Sequence, residues 1–267
     1  MDMQNMEKDV SLSPGHLPVP ISTGHTGEEN ELATTVPRDR LLPLAPSVTP
    51  VTLYEAWQMG ERLSGIFLLY GHPHVLRLSQ KLACRILLQP EPMMVLDGAN
   101  TFDPYLVSEL ARKVGQTPEE FLRRIRVSRS FTCHQMLSLI RQVEKAARQW
   151  NSCLILLLGP LTTFYDESVP NHEAWAIFRA FVSELNRLSQ AGFRLLLACQ
   201  QPAAATGRVF VKKLKLCALG VASCWPTEVA DQGVKDWLLV QVEKPAGTDR
   251  HWLVRQGEIF RPRSYLS

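Results

Sequence analysis

The sequence predicts an α/β protein: a mostly parallel sheet with helices on both faces and antiparallel strands at the C-terminal end. Three observations predict it. Short apolar runs ("GIFLLYG", "PMMVLDG", "CLILLLG", "FRLLLACQQ") alternate with longer segments of helical periodicity. The runs are continuously apolar, as strands covered on both faces must be. Near the C-terminus the pattern changes to three strand-like runs in succession, "KLKLCALGVASCW", "WLLVQVEKP" and "HWLVRQGEIF". The last two are spaced as a hairpin through "AGTD".

The elements follow in order. Residues 1–50 are rich in Pro, Ser, Thr and Gly and poor in aromatics. Such a segment buries too little apolar surface to offset its ordering entropy, so it is expected to be a disordered tail. The core domain is expected over 51–267, opening with a short helix in "LYEAWQMGERL" from Leu53. A strand over "GIFLLYG" is followed by a helix in "LSQKLACRILL" and a strand in "PMMVLDG". The helix in "FDPYLVSELARKVG" has Asp103 to cap it, Pro104 in its first turn and Gly115 after its last. Thr117 and Glu120 have the spacing of a capping box for the next short helix, and Thr132 and Gln135 for the long one beyond the strand "RVSRSF". A strand in "CLILLLG", a helix closed by Gly192 and a strand in "FRLLLACQQ" complete the alternation. Trp175, Phe178 and Phe181 share one helical face and read as core. Trp225, Trp237 and Trp252 read as packing for the antiparallel strands. No repeat at a period of 20–50 residues is visible.

Composition bounds the class. The chain has 267 residues, 45% hydrophobic and 21% charged, an ordinary globular balance. No apolar run approaches the ~20 residues a bilayer-spanning helix needs, and the N-terminus lacks a secretory pattern. A cytoplasmic or nucleoid-associated protein without a membrane partner is expected. Six cysteines form no CxxC pair and read as reduced core thiols. His72 and His74 lack a third ligand at metal-site spacing. Residues 1–50 carry seven acidic against three basic side chains, so the net +3 of the chain places +7 on the remainder. A basic body is compatible with a polyanionic partner.

Val95–Ile140 narrows the fold further. Its strand ends in an acidic turn with Asp97, Thr101 and Phe102. A helix beginning at Pro104, a second short helix, a strand with Arg126 and Arg129, then Phe131 and a helix start with His134 and Gln135 follow. This order resembles the archaeal and eukaryotic branch of the RecA-like recombinases, from about Gly65 to Phe260. The resemblance implies a RecA-like P-loop core.

Laid over that family, the loop motif GxxxxGK[ST] falls on Gly71 to Leu78. Gly71 matches the first glycine. Leu76 stands at the second glycine, Arg77 at the lysine and Leu78 at the Ser/Thr, with Ser79 one position late. Leucine fills the space phosphates need, a forked guanidinium does not replace a compact ammonium, and leucine offers magnesium no oxygen. The family's water-activating glutamate falls on Ala99 and its magnesium-linked aspartate on Gly159. The resemblance therefore implies a degenerate nucleotide loop, a pseudo-ATPase and no cofactor, with ATP and magnesium in non-standard roles at Arg77, Ser79 and Asp97 as the alternative. A structural hydrogen bond from Asp97 to the following turn is the plainer reading of that residue. Gln200 or Gln201 matches the polar residue that, in the family, links the nucleotide to a DNA-binding loop.

Basic stretches admit two readings each. Arg123, Arg124, Arg126 and Arg129 could meet a phosphate backbone or form a solvated strand face. Arg208, Lys212, Lys213 and Lys215 surround the position of the family's second DNA-binding loop, and read otherwise as lysines protecting a sheet edge. The first such loop corresponds to "YDESVPNHE", which is acidic through Asp166, Glu167 and Glu173. Arg255, Arg261 and Arg263 could likewise add to a phosphate-binding surface or read as a polar C-terminal tail. The resulting expectation is a non-catalytic RecA-like accessory protein in DNA recombination or repair. Its partners would be a recombinase-like or other repair protein and single-stranded DNA, as a homo- or hetero-oligomer. A divergent ATPase and a protein-interaction scaffold without DNA binding are the alternatives.

Overall fold

The computed structural model describes residues 64–88, 91–166, 168–202, 205–227, 237–244 and 251–255. The expected tail, the helix from Leu53, Glu167, the hairpin turn and Arg261 and Arg263 lie outside the described residues.

The chain is α/β, built on one eight-stranded sheet of order β3-β2-β4-β5-β1-β6-β7-β8. The strands are β1 (Gly65–Gly71), β2 (Met93–Asp97), β3 (Ile125–Arg129), β4 (Leu154–Leu158), β5 (Arg194–Gln200), β6 (Gly220–Thr227), β7 (Trp237–Lys244) and β8 (His251–Arg255). Strands β1 to β6 run parallel, and β7 and β8 pair antiparallel at one edge. The helices are α1 (His74–Ile86), α2 (Pro104–Lys113), α3 (Pro118–Arg123), α4 (Cys133–Gln149), α5 (Asn171–Gln190) and α6 (Ala205–Cys217).

The strand side chains alternate between two cores, one on each face of the sheet. On one face, Leu68, Leu96, Leu157 and Leu197 pack against α4, α5 and α6. There Phe164, Phe178, Phe181 and Phe210 form an aromatic cluster, with Trp175 against Phe210 at 4.7 Å. On the other face, Leu69, Val95, Leu156 and Leu196 pack against α1, α2 and Phe121 of α3. Burying side chains of this size contributes about 1.5–3 kcal/mol each. The six cysteines are free thiols, four of them buried.

Local chemistry sets the helix ends. The Asp103 carboxylate accepts from the backbone N–H of Tyr105 and Leu106, at 2.9 and 3.1 Å. Thr132 Oγ1 accepts from Gln135 N, and the Gln135 side chain returns to Phe131 N. Thr117 departs from expectation: its side chain makes no capping bond, and α3 begins on Pro118 without one.

The other departure is larger. Lys213–Cys217, read as the start of a strand, is the last part of α6. Phe210, Val211, Leu214 and Ala218 are buried at helical spacing, and this stripe overrides the alternation of lysine and leucine. Lys212 and Lys213 are therefore exposed on a helix and do not lie on a sheet edge.

Candidate functional site

In an open parallel sheet, ligands bind beyond the carboxyl ends of strands whose connections leave toward opposite faces. Here β1 leads into α1 on one face and its neighbour β5 leads into α6 on the other. The same divergence occurs between β2 and β4. The candidate site is thus the carboxyl edge of β1, β5, β4 and β2, where Gly71, Gln200, Gln201, Gly159, Asp97 and Ala99 all fall.

The turn after β1 is short. Only His72 and Pro73 separate Gly71 from α1. Pro73 has no N–H to offer, and the next amides are engaged within the turn. His74 N donates to His72 Nδ1 at 3.4 Å, Val75 N to His72 O at 2.9 Å and Leu76 N to Pro73 O at 3.1 Å. Leu76 and Leu78 are buried in α1, and Ser79 Oγ donates to the carbonyl of Leu76 at 2.9 Å. Arg77 points outward, 3.7 Å from the Asp103 carboxylate. Burial, then the neighbouring His74, holds the His72 imidazole below its ordinary pKa.

Gly71 has a different reason to be glycine. It adopts φ +136°, and a Cβ there would meet the carbonyl oxygen of Cys224 at 2.2 Å. That close approach lets His72 N donate to the same carbonyl at 2.9 Å. On the other side, Gln201 N donates to Gly71 O at 2.7 Å. The tip of β1 is stitched to both neighbours, with Gln200 exposed beside it.

The tips of β2 and β4 are closed in a similar way. Gly98 N and Ala99 N both donate to Leu158 O, and Gly159 N donates to Ala198 O. Gly159 takes φ +54°, and a Cβ on it would lie 2.4 Å from the Ala99 Cβ. Gly159 and Ala99 thus abut each other, and a side chain on Gly159 would overlap Ala99.

Asp97 is fully buried at the end of β2. Its carboxylate accepts from Thr101 N at 3.1 Å and Phe102 N at 2.9 Å, and Arg129 Nε lies 3.7 Å away. It organises the turn, as its plainer reading expected. Gln80, which sequence reasoning passed over, completes the support. From inside α1 its amide donates to Thr101 O at 3.0 Å and accepts from Asp103 N at 2.8 Å. A glutamine within an apolar helical run was the available signal.

The basic residues are dispersed. Arg126 stacks over the Trp150 ring at 3.9 Å, and Arg124 over Phe121 at 4.9 Å. Lys215 lies apart from its exposed neighbours Arg208, Lys212 and Lys213. Its ammonium donates to the Tyr70 hydroxyl at 2.6 Å and Glu243 at 2.8 Å, over the Tyr70 ring. Tyr70 in turn donates to Glu243. This bolt joins β1, α6 and β7, and no local sequence signal predicted it. In the acidic loop after β4, the Ser168 hydroxyl and N–H hold the Asp166 carboxyl below its ordinary pKa. His134 pairs with Glu173 at 3.2 Å.

Among the described residues, no group of three or more His, Cys, Asp or Glu is placed to hold a metal ion, and no helix is long and apolar enough to cross a membrane. No protein-family model matches the chain.

Proposed function

We propose that this chain is a RecA-like protein without ATP turnover that serves as an accessory factor in DNA recombination or repair. Its partner would be a recombinase-like protein, DNA, or both. The observation that carries this reading is the closed carboxyl edge of a sheet whose sequence resembles the recombinases. The residues present do not fit a magnesium-bound triphosphate. A two-residue turn, with the His72 amide on Cys224 O and the amides of His74, Val75 and Leu76 bonded back to His72 and Pro73, leaves no cradle for phosphates. Ala99 and Gly159 bring no carboxylate, and the oxygens of Asp97 already serve Thr101, Phe102 and Arg129. No phosphoryl-transfer step is derived for this chain.

Two surfaces support the binding role. Strand β3 pairs only with β2 among the described strands, so its outer edge can accept an added strand. Subunits of the resembled family assemble through an extended arm docking on a neighbouring sheet. Lys212 and Lys213 are exposed lysines of α6 that a phosphate backbone would meet.

Calorimetric titration with ATP and magnesium tests the first half of the reading. No binding is expected, and micromolar affinity with hydrolysis lost in Arg77→Ala would overturn it. Gel shifts with single-stranded DNA at several salt concentrations test the DNA contact. Binding unchanged in the Lys212→Glu, Lys213→Glu double variant would place the surface elsewhere. Binding absent in the unmodified protein would favour a protein-only scaffold.

A further inference from the structure

Among the described residues two aromatic rings of Phe, Tyr or Trp stand mostly in solvent, Tyr105 at 84% and Phe131 at 68% exposure. Neither belongs to the two cores. Both lie at the carboxyl edge of the sheet, after the neighbouring strands β2 and β3. From β2 the chain leads into α2 on one face, and from β3 it leads into α4 on the other. Neighbouring strands whose chains part in this way flank a crevice. Tyr105 stands on one lip and Phe131 on the other, with the Asp97 turn between them.

Each ring rides on backbone that is already fixed. Tyr105 N donates to the Asp103 carboxylate at 2.9 Å, and Phe131 N donates to the Gln135 side chain at 2.8 Å. Ser130 N donates to Asp97 O at 3.1 Å, which ties the two lips together. Side chains presented from a rigid backbone lose little freedom when a ligand stacks on them.

Each ring also has a guanidinium close to it along the fold. Arg129, half exposed, lies two residues before Phe131. Arg77, more than half exposed, pairs at 3.7 Å with Asp103, the residue that caps the helix bearing Tyr105. The two carboxylates of this edge are engaged. Asp97 is buried and serves Thr101, Phe102 and Arg129, and Asp103 serves the cap and Arg77. Separate rings beside guanidinium groups offer a π-face and a cation in turn, which is what a nucleobase and its phosphate require. A duplex keeps its base faces stacked on one another, so a single strand is the form that can use such rings. We propose that the carboxyl edge of β2 and β3 is a stacking site for the bases of single-stranded DNA, with Tyr105 and Phe131 as its platforms and Arg77 and Arg129 toward the phosphates. This inference rests on the DNA half of the function proposed above, and gives it a surface apart from the lysines of α6.

Fluorescence anisotropy of the full chain with a labelled oligothymidylate of about 12 nucleotides tests it. Tyr105→Ala and Phe131→Ala should each weaken binding by about 5- to 150-fold, the range for losing one stacked base. Tyr105→Phe keeps the ring and should keep the affinity. An abasic strand of the same length supplies phosphates without bases, so the wild type and both alanine variants should bind it equally. Unchanged oligothymidylate affinity in the double alanine variant would overturn the site and leave the DNA reading standing. An equal loss on the abasic strand, or on a duplex, would also overturn it, by assigning the effect to phosphates or to misfolding. A wild type that binds no oligothymidylate would remove the DNA half of the proposed function itself, and this site with it.

Discussion

Replacing Asp97 with alanine removes one acceptor group from beneath the turn after β2. Two backbone amides, those of Thr101 and Phe102, lose their partner. Leaving a buried donor unsatisfied costs about 1–3 kcal/mol. These two bonds are only part-buried, so water reaches the turn and the lower half of that range applies. The ion pair with Arg129 adds little, because Arg129 is half exposed and screened. The expected loss is about 3 kcal/mol. With a urea slope of about 2–3 kcal/mol per molar, the midpoint should fall by about 1–1.5 M. Asp97→Asn keeps one acceptor oxygen and should lose about half as much. Urea titration followed by tryptophan fluorescence measures both. A loss below about 1 kcal/mol in Asp97→Ala, or equal losses in the two variants, would show that the carboxylate does not hold the turn.

Three further outcomes follow from the same geometry. Gly159→Asp, which places a carboxylate where the resembled family has one, should destabilise the protein by more than about 2 kcal/mol and confer no magnesium binding, since it combines a left-handed backbone with a Cβ overlap; thermal melting with and without magnesium reads this. Thr132→Ala should cost about 1 kcal/mol through the lost cap of α4, measured by denaturant midpoint, whereas Thr117→Ala should cost little. The third concerns pH. Burial raises the Glu243 pKa, but its bonds to Lys215 and Tyr70 outweigh that and hold it below its ordinary value. A depressed carboxylate stabilises the fold above its unfolded pKa of about 4.3 and loses that contribution as pH falls through the folded value. Stability measured from pH 6 downward should therefore fall less steeply in Glu243→Gln than in the wild type.

What could be read from the sequence was what sits close along it. The caps at Asp103 and Thr132 are local, three-residue arrangements, and the strands are apolar runs, so both were legible. Thr117 shows the limit of a motif: the spacing was right, but the side chain made no bond. The α6 misreading arose because alternating lysine and leucine over a few residues fits either period, and only the buried stripe from Phe210 to Ala218 decides it. At the candidate site, the identities of Leu76, Arg77, Leu78, Ala99 and Gly159 were visible in the sequence, but the closure of the edge was not. That Gly71 makes room for the Cys224 carbonyl, and that Ala99 touches Gly159, depends on contacts between segments distant in the chain. The Tyr70–Lys215–Glu243 bolt is likewise a product of sheet order.

The tally of positive charge on this protein overstates what a polyanion would encounter. Lys244 is the clearest case. Its ammonium has three hydrogens, and they meet the carbonyl oxygens of Lys215, Leu216 and Ala218 at 3.2, 3.4 and 2.8 Å, at the end of α6. With Lys215 also engaged, Lys212 and Lys213 remain as the outward-facing lysines of that helix. If they alone neutralise phosphates, the logarithm of DNA affinity should fall with the logarithm of salt at a slope near ~1.4 for single strands. Acetylating Lys244 would barely change that slope, but it would remove one of the two links between the end of α6 and β7, leaving the Lys215–Glu243 pair.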